Sequence, residues 1–151
     1  MSLESKISND IKAAMLAREQ NKLEALRAVK AAILLEKTKE GATGELEEKD
    51  ELKLLQKLVK QRRESAEIYA TANRKDLADK DLFEASVIET YLPAQLSEAE
   101  VTGIIRKIMA EVGATSIRDM GKVMAAATAA LSGKADNKMV SAIVKNLLSG
   151  T

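Results

Sequence analysis

A single proline, Pro93, stands in a chain of 151 residues. Proline removes a backbone donor and restricts the residue before it, so it stops helices. That breaker is absent elsewhere, while Ala, Leu, Lys and Glu, all strong helix formers, recur throughout. No stretch alternates apolar and polar residues as a half-buried strand would. The chain is therefore expected to be all-α and to change organisation near Pro93.

Charge counts support a boundary there. Residues 1–93 hold 17 basic and 18 acidic side chains, and residues 94–151 hold 7 and 5. The second part is also richer in Ala and Gly. Two domains are predicted, 1–93 with four helices and 96–151 with three. Tyr69, Phe83 and Tyr91 are the three aromatic residues, so both cores must be built from Leu, Ile, Val, Ala and Met.

Before Pro93, helix one is expected over Leu3 to Gln20, capped by Ser2, with Leu3, Ile7, Ile11 and Ala14 on one face. Asn21 is expected to break the chain. Helix two follows from Lys22 to Lys39, with Leu23, Leu26, Val29 and Ile33 inward. The glycine-bearing acidic stretch Glu40–Glu51 reads as an exposed turn. Helix three runs from about Glu47 to Ala72. "NRKDLADKD", Asn73–Asp81, reads as a polar connection, and helix four as Asp81 to Leu92.

After Pro93 the punctuation is sharper. Ser97 and Glu100 form a capping box, in which each side chain satisfies an orphan amide. That helix is expected to end at Val112, with Gly113 in the terminating turn. The next runs from near Ser116 to near Ser132, and Gly133 follows it. Asp136 caps a last helix, Asn137 to Leu148. The alanine cluster Ala125–Ala130 is expected to let two helices approach closely.

The absence of Cys and His removes much chemistry. Thiolate or imidazole zinc sites, cysteine nucleophiles and Ser-His-Asp triads are excluded. The acidic turn Glu45–Glu51 lacks the spaced oxygen ligands of a calcium loop. Gly133-Lys134 lacks the upstream glycine and the Ser/Thr of a phosphate-binding loop. No cofactor, metal or catalytic residue is predicted. The longest uncharged run, Val123–Gly133, has eleven residues, about half of a membrane span. Glu4 and Asp10 near the start do not suit a secretory signal. A cytoplasmic chain without membrane contact is expected.

Two groups of residues remain as candidate sites. On a helical wheel Arg62 falls at roughly 280° from Leu52, inside the stripe of Leu52, Leu55, Val59, Ala66 and Tyr69. A guanidinium there must find a partner, either a Glu on another helix or a ligand. Its neighbour Arg63 belongs to the basic segment "KLVKQRR". In the second domain Arg118, Lys122, Lys134 and Lys138 could contact a phosphate backbone. With so few aromatics, base stacking is not expected. At the helix start after "GKADNK", Asp136 would take the free amides and repel phosphate. Contact would then come from the flanking Lys134 and Lys138, and a continuous positive stripe joining all four cations would favour RNA.

Four segments carry a family resemblance: "KQRRESAEIY" (60–69), "YLPAQLSEAE" (91–100), "DMGKVMAAA" (119–127) and "GKADNKMVSAIVKNLL" (133–148). They resemble the YqeY family of small bacterial proteins over essentially the whole chain. Residues from about Leu96 to Ser149 also look like the tail domain of the B subunit of the tRNA-dependent amidotransferase, where the tail helps hold tRNA. The resemblance implies a helical N-terminal domain and a small three-helix tail-like domain. It does not bring the catalytic cradle, and a shared fold does not carry an activity.

Three functions are compatible with these readings. The first is a non-catalytic module that contacts tRNA, or a tRNA-amidation complex, through the tail-like domain. The second is a protein–protein adaptor or homodimer scaffold using the long helices. The third is an accessory of carbon–nitrogen ligase activity with glutamine as amide donor. Binding is expected ahead of catalysis.

Overall fold

A computed structural model describes residues 2–39 and 46–150. Among the described residues the chain is all-α, with seven α-helices, one 3-10 turn and no strand. It divides into two compact units, 1–93 and 94–151.

In the first unit, α1 spans Leu3–Ala17 and α2 Gln20–Lys39. Ser2 caps α1 by accepting the Ser5 amide at 3.1 Å. The expected break at Asn21 lies instead at Arg18, which sits at φ 58°, in the left-handed region. The Glu19 N–H donates back to the Ala14 carbonyl at 3.0 Å, closing α1 with the hydrogen bond of a Schellman turn. The earlier reversal lets Ala14 and Leu23 reach one cluster with Ala25, Leu26 and Val87. Asn21 then lies inside α2.

Helix α3, Glu48–Thr71, has 24 residues, about 36 Å at 1.5 Å per residue. Glu48, Asp50 and Glu51 occupy its first turn, where the helix dipole favours carboxylates. The remainder of the expected acidic turn, residues 40–45, lies outside the described residues.

Helix α4 is Lys75–Glu89, beginning six residues before the expected Asp81. The polar run 73–81 looks like a loop because only one helix stripe is apolar there. Ala78 is nonetheless buried. The true turn is Ala72–Arg74. Asn73 takes φ 64°, and the Arg74 N–H donates to the Tyr69 carbonyl at 2.8 Å. The α3–α4 hairpin buries Leu55, Leu58, Val59, Ala85 and Ile88 against Ile7, Val29 and Ile33. Helix α4 ends before Leu92, and a further turn carries the chain to Pro93.

In the second unit, α5 is Glu98–Val112, α6 Met120–Leu131 and α7 Asn137–Leu148. The Ser97–Glu100 capping box is present. Gly113 closes α5 at φ 70°, and Gly133 follows α6 at φ 75°. Asp136 caps α7. A 3-10 turn, Ile117–Asp119, replaces the expected first turn of α6. It is held by the Asp119 carboxylate, which accepts the Thr115 and Ser116 amides at 2.9 and 3.3 Å.

Val101, Ile105, Val123, Ala127, Val140 and Val144 lie at the centre of this core. Of the alanine cluster only Ala127 is buried, while Ala125, Ala129 and Ala130 face solvent. Ala126 is half-buried and packs against the same core, so only Ala126 and Ala127 of the cluster serve the helix packing. The segment before α5 is stapled to the α6–α7 turn. The Leu96 N–H donates to the Lys134 carbonyl at 2.9 Å, and the Gln95 side-chain amide donates to the Gly133 carbonyl at 2.7 Å.

A left-handed conformation costs a residue with a Cβ about 1–2 kcal/mol. Arg18→Gly removes that cost, partly offset by the greater freedom of glycine in the unfolded chain. The variant is expected to be about 0.5–1 kcal/mol more stable than wild type, read as a higher urea midpoint at unchanged slope.

Candidate nucleic-acid interface

Lys134 and Lys138 flank the start of α7, and both are exposed. The Asp136 carboxylate accepts the Lys138 N–H at 3.2 Å. It occupies the helix start with a negative charge, so the two lysines point their charge outward from beside the cap.

Arg118 and Lys122 are also exposed, but they belong to the other end of α6. Arg118 lies in the 3-10 turn and Lys122 in the first turn of α6. The two pairs are separated by most of a 12-residue helix, about 18 Å. The four cations therefore form two end clusters and not the continuous stripe that would favour RNA. The short α6–α7 turn sends α7 back antiparallel to α6, and α7 packs on the 3-10 turn. Lys145, in the last turn of α7, thus joins the Arg118–Lys122 end. Its position follows from the chain reversal, which charge spacing along the sequence does not show.

The two ends differ in charge. Near Lys134 and Lys138 stand Asp136 and the α5 first-turn residues Glu98 and Glu100. On the side of Arg118, Lys122 and Lys145 the acids are Asp119, in the same 3-10 turn, and Glu111, in the last turn of α5. The Asp119 carboxyl is held below its ordinary range chiefly by the Thr115 amide, then by the Ser116 amide, with Lys122 adding attraction. Two backbone amides occupy that carboxylate, and this end counts three cations, Arg118, Lys122 and Lys145, to two acids, Glu111 and Asp119.

Arg62 lies where the helical wheel places it. Its Nε stands 3.4 Å from the Glu84 carboxylate of α4, and the two side chains are 17% and 13% exposed. Its Nη1 donates to the Leu58 carbonyl at 3.3 Å. Arg63 is more exposed and pairs with Glu89. Both arginines thus bind α3 to α4. The wheel reveals the need for an acid, but only the hairpin register identifies Glu84.

A further polar tie joins α1 to the end of α4: the Tyr91 hydroxyl donates to Asp10. The pair borders an open cavity of about 610 Å³ that also touches Glu19, Lys22 and Phe83. Burial, and then the hydrogen bond to Asp10 and its negative charge, push the Tyr91 phenol above the ordinary 10.0. Among the described residues no acidic cluster is placed to hold a metal ion, and no helix is long and apolar enough to cross a membrane.

The sequence profile of the family described as Yqey-like protein matches residues 4–148. The chain belongs to the YqeY-like family. A YqeY-like assignment over that span takes in both units and all seven helices. Among curated proteins, "Altered inheritance of mitochondria protein 41, mitochondrial" from Meyerozyma guilliermondii is 34% identical over 111 residues. The match covers 70% of this YqeY-like chain and 56% of the relative, so the chain spans little more than half of that protein's length.

Two measurements check the polar ties. Glu84→Ala leaves the half-buried Arg62 without its acid and is expected to cost about 1–3 kcal/mol, between the values for exposed and buried pairs. Arg62→Met combined with Glu84→Leu should lose far less, because no charge is then stranded. Chemical denaturation of the three proteins gives the comparison. For Tyr91, a raised folded-state pKa means its contribution is intact below pH 10 and fades as pH rises above it. Wild type should therefore destabilise above pH 10 more steeply than Tyr91→Phe. Absorbance titration should show a late-ionising phenol that the variant lacks.

Proposed function

We propose that this chain is a non-catalytic helical module that contacts tRNA, alone or within a tRNA-amidation complex, through residues 94–151. One observation carries the reading. All seven cations of that unit are exposed, and among the described residues none is held in an ion pair. In residues 2–93, by contrast, several cations are tied up internally, as in Lys37–Glu4, Lys80–Glu24 and Arg74–Asp76. Free lysines and arginines on a rigid three-helix body suit a phosphate backbone, whose counterions they displace. The likeness of residues 96–149 to an amidotransferase tail points the same way.

The Arg118–Lys122–Lys145 end is the stronger contact in this reading, and Lys134–Lys138 forms a second one a helix length away. Two separated contacts suit recognition of RNA shape through its backbone, without base stacking. In this reading the chain works in the cytoplasm, as the sequence leads one to expect. The mitochondrial name belongs to the relative.

Filter binding of tRNA across a salt series tests the proposal. The logarithm of affinity should fall linearly with that of salt, with a slope of about −0.7 to −0.9 per phosphate contact. Arg118→Ala/Lys122→Ala should weaken binding most, and Lys134→Ala/Lys138→Ala less. Each double variant should make the slope shallower by about 2. No binding at low salt, or affinity unchanged in both double variants, would sink the reading.

A further inference from the structure

Helices α1 and α4 both pack on α2. The open cavity of about 610 Å³ is lined by Asp10 of α1, by the α1–α2 reversal and by one face of α4. That volume falls within the range of about 300–1,000 Å³ usual for small-molecule sites. Phe83, the one phenylalanine of the chain, stands on the α4 wall and is 43% exposed. The buried Val87 lies one turn further along the same wall.

The hydrogen-bonding sense of the lining is one-sided. Ser86 donates its hydroxyl proton to the Phe83 carbonyl and Thr90 donates to the Val87 carbonyl, each at 2.6 Å. The Tyr91 proton goes to Asp10. Every hydroxyl that lines the cavity thus has its proton engaged within the protein. The oxygens of Ser86, Thr90 and Tyr91 keep lone pairs only, and so does the Asp10 carboxylate. This part of the lining accepts and does not donate.

The charge balance points the same way. At the α1–α2 reversal Lys22 stands 3.7 Å from Glu19, and Gln20 hydrogen-bonds Glu24. The donors there have acids of their own. Asp10 forms no ion pair among the described residues. One carboxylate therefore borders the cavity without a counter-ion.

We propose that this cavity binds a small organic cation, an ammonium group carried on an apolar or aromatic stem. The ammonium has three protons to give and no lone pair, which matches the acceptors that surround Asp10. Phe83 supplies a ring that attracts a cation over its face and packs against the stem. A hard metal ion does not fit the lining. It takes about six oxygens, and among the described residues no acidic cluster is placed to hold one.

Titration of the full chain at low salt, followed by amide NMR, provides the test. Three probes share one ring and differ in charge: phenethylammonium, phenethyl alcohol and hydrocinnamate. A fragment of that size is expected to bind with a dissociation constant of about 1 mM. Phenethylammonium should shift the amides near Asp10, Glu19 to Lys22 and Phe83 to Tyr91. The alcohol should bind more weakly, and hydrocinnamate should not bind. Asp10→Asn keeps an acceptor for Tyr91 but removes the charge, and should weaken the cation about tenfold while leaving the alcohol unchanged. Phe83→Ala, at an exposed position, should weaken both the cation and the alcohol. Four results would each overturn the proposal: no shift with phenethylammonium up to about 10 mM, shifts spread over the acidic surface at large, affinity unchanged in Asp10→Asn, or preference for hydrocinnamate, as when the amides at the start of α2 govern the site. The cavity lies wholly in residues 2–93, so tRNA binding by residues 94–151 is measured separately and does not depend on the outcome.

Discussion

The first unit depends on the reversal at Asn73. It sends α4 back along α3 and sets the register that places Glu84 beside Arg62 and Glu89 beside Arg63. That register also decides which aliphatic residues meet Ile7, Val29 and Ile33. Of the three aromatic residues in the whole chain, only Tyr91 packs against this core, so rings can do little to fill a misfit. Branched aliphatic side chains must interlock at the correct heights, and a slip of one residue would rotate each helix face by about 100°. The turn is small, but the half-buried Arg62–Glu84 pair makes its alternatives costly, because a shifted register leaves a charge without its partner.

The two units differ in how openly their sequences announce their fold. In residues 94–151 four of the six helix ends carry a residue suited to them: Ser97 and Glu100 at a start, Gly113 and Gly133 after ends, and Asp136 at another start. These bounds were legible because local backbone chemistry decides them. In residues 2–93 the reversals fall on Arg18 and Asn73. Arginine is not a residue that marks a left-handed turn, so the sequence points to a break three residues too late, at Asn21. The first turns of α4 look like a loop in the sequence because a surface hairpin needs an apolar residue only once per turn.

The candidate sites divide along the same line. Arg62 could be singled out from its place on the helical wheel, since a charge within an apolar stripe needs a partner. The partner itself depends on tertiary register. For the exposed cations, spacing along the chain misleads. Lys134 and Lys138 are neighbours in sequence and in space, but they stand among three acids. Arg118 and Lys122 gain Lys145 only because α7 returns past the start of α6. Electrostatic character at a surface is a property of the folded arrangement, and residue lists convey it poorly.

The α6–α7 turn has an implication for how this surface can change over generations. Its contribution to the fold is made by main-chain carbonyls, which accept from Gln95 and the Leu96 amide. Those bonds are indifferent to the side chain at residue 134, which faces solvent. Stability and surface chemistry are therefore inherited separately at this position. A lineage could exchange lysine there for an acid or a neutral residue and keep the same three-helix body. The turn is a place where recognition can drift while architecture is conserved.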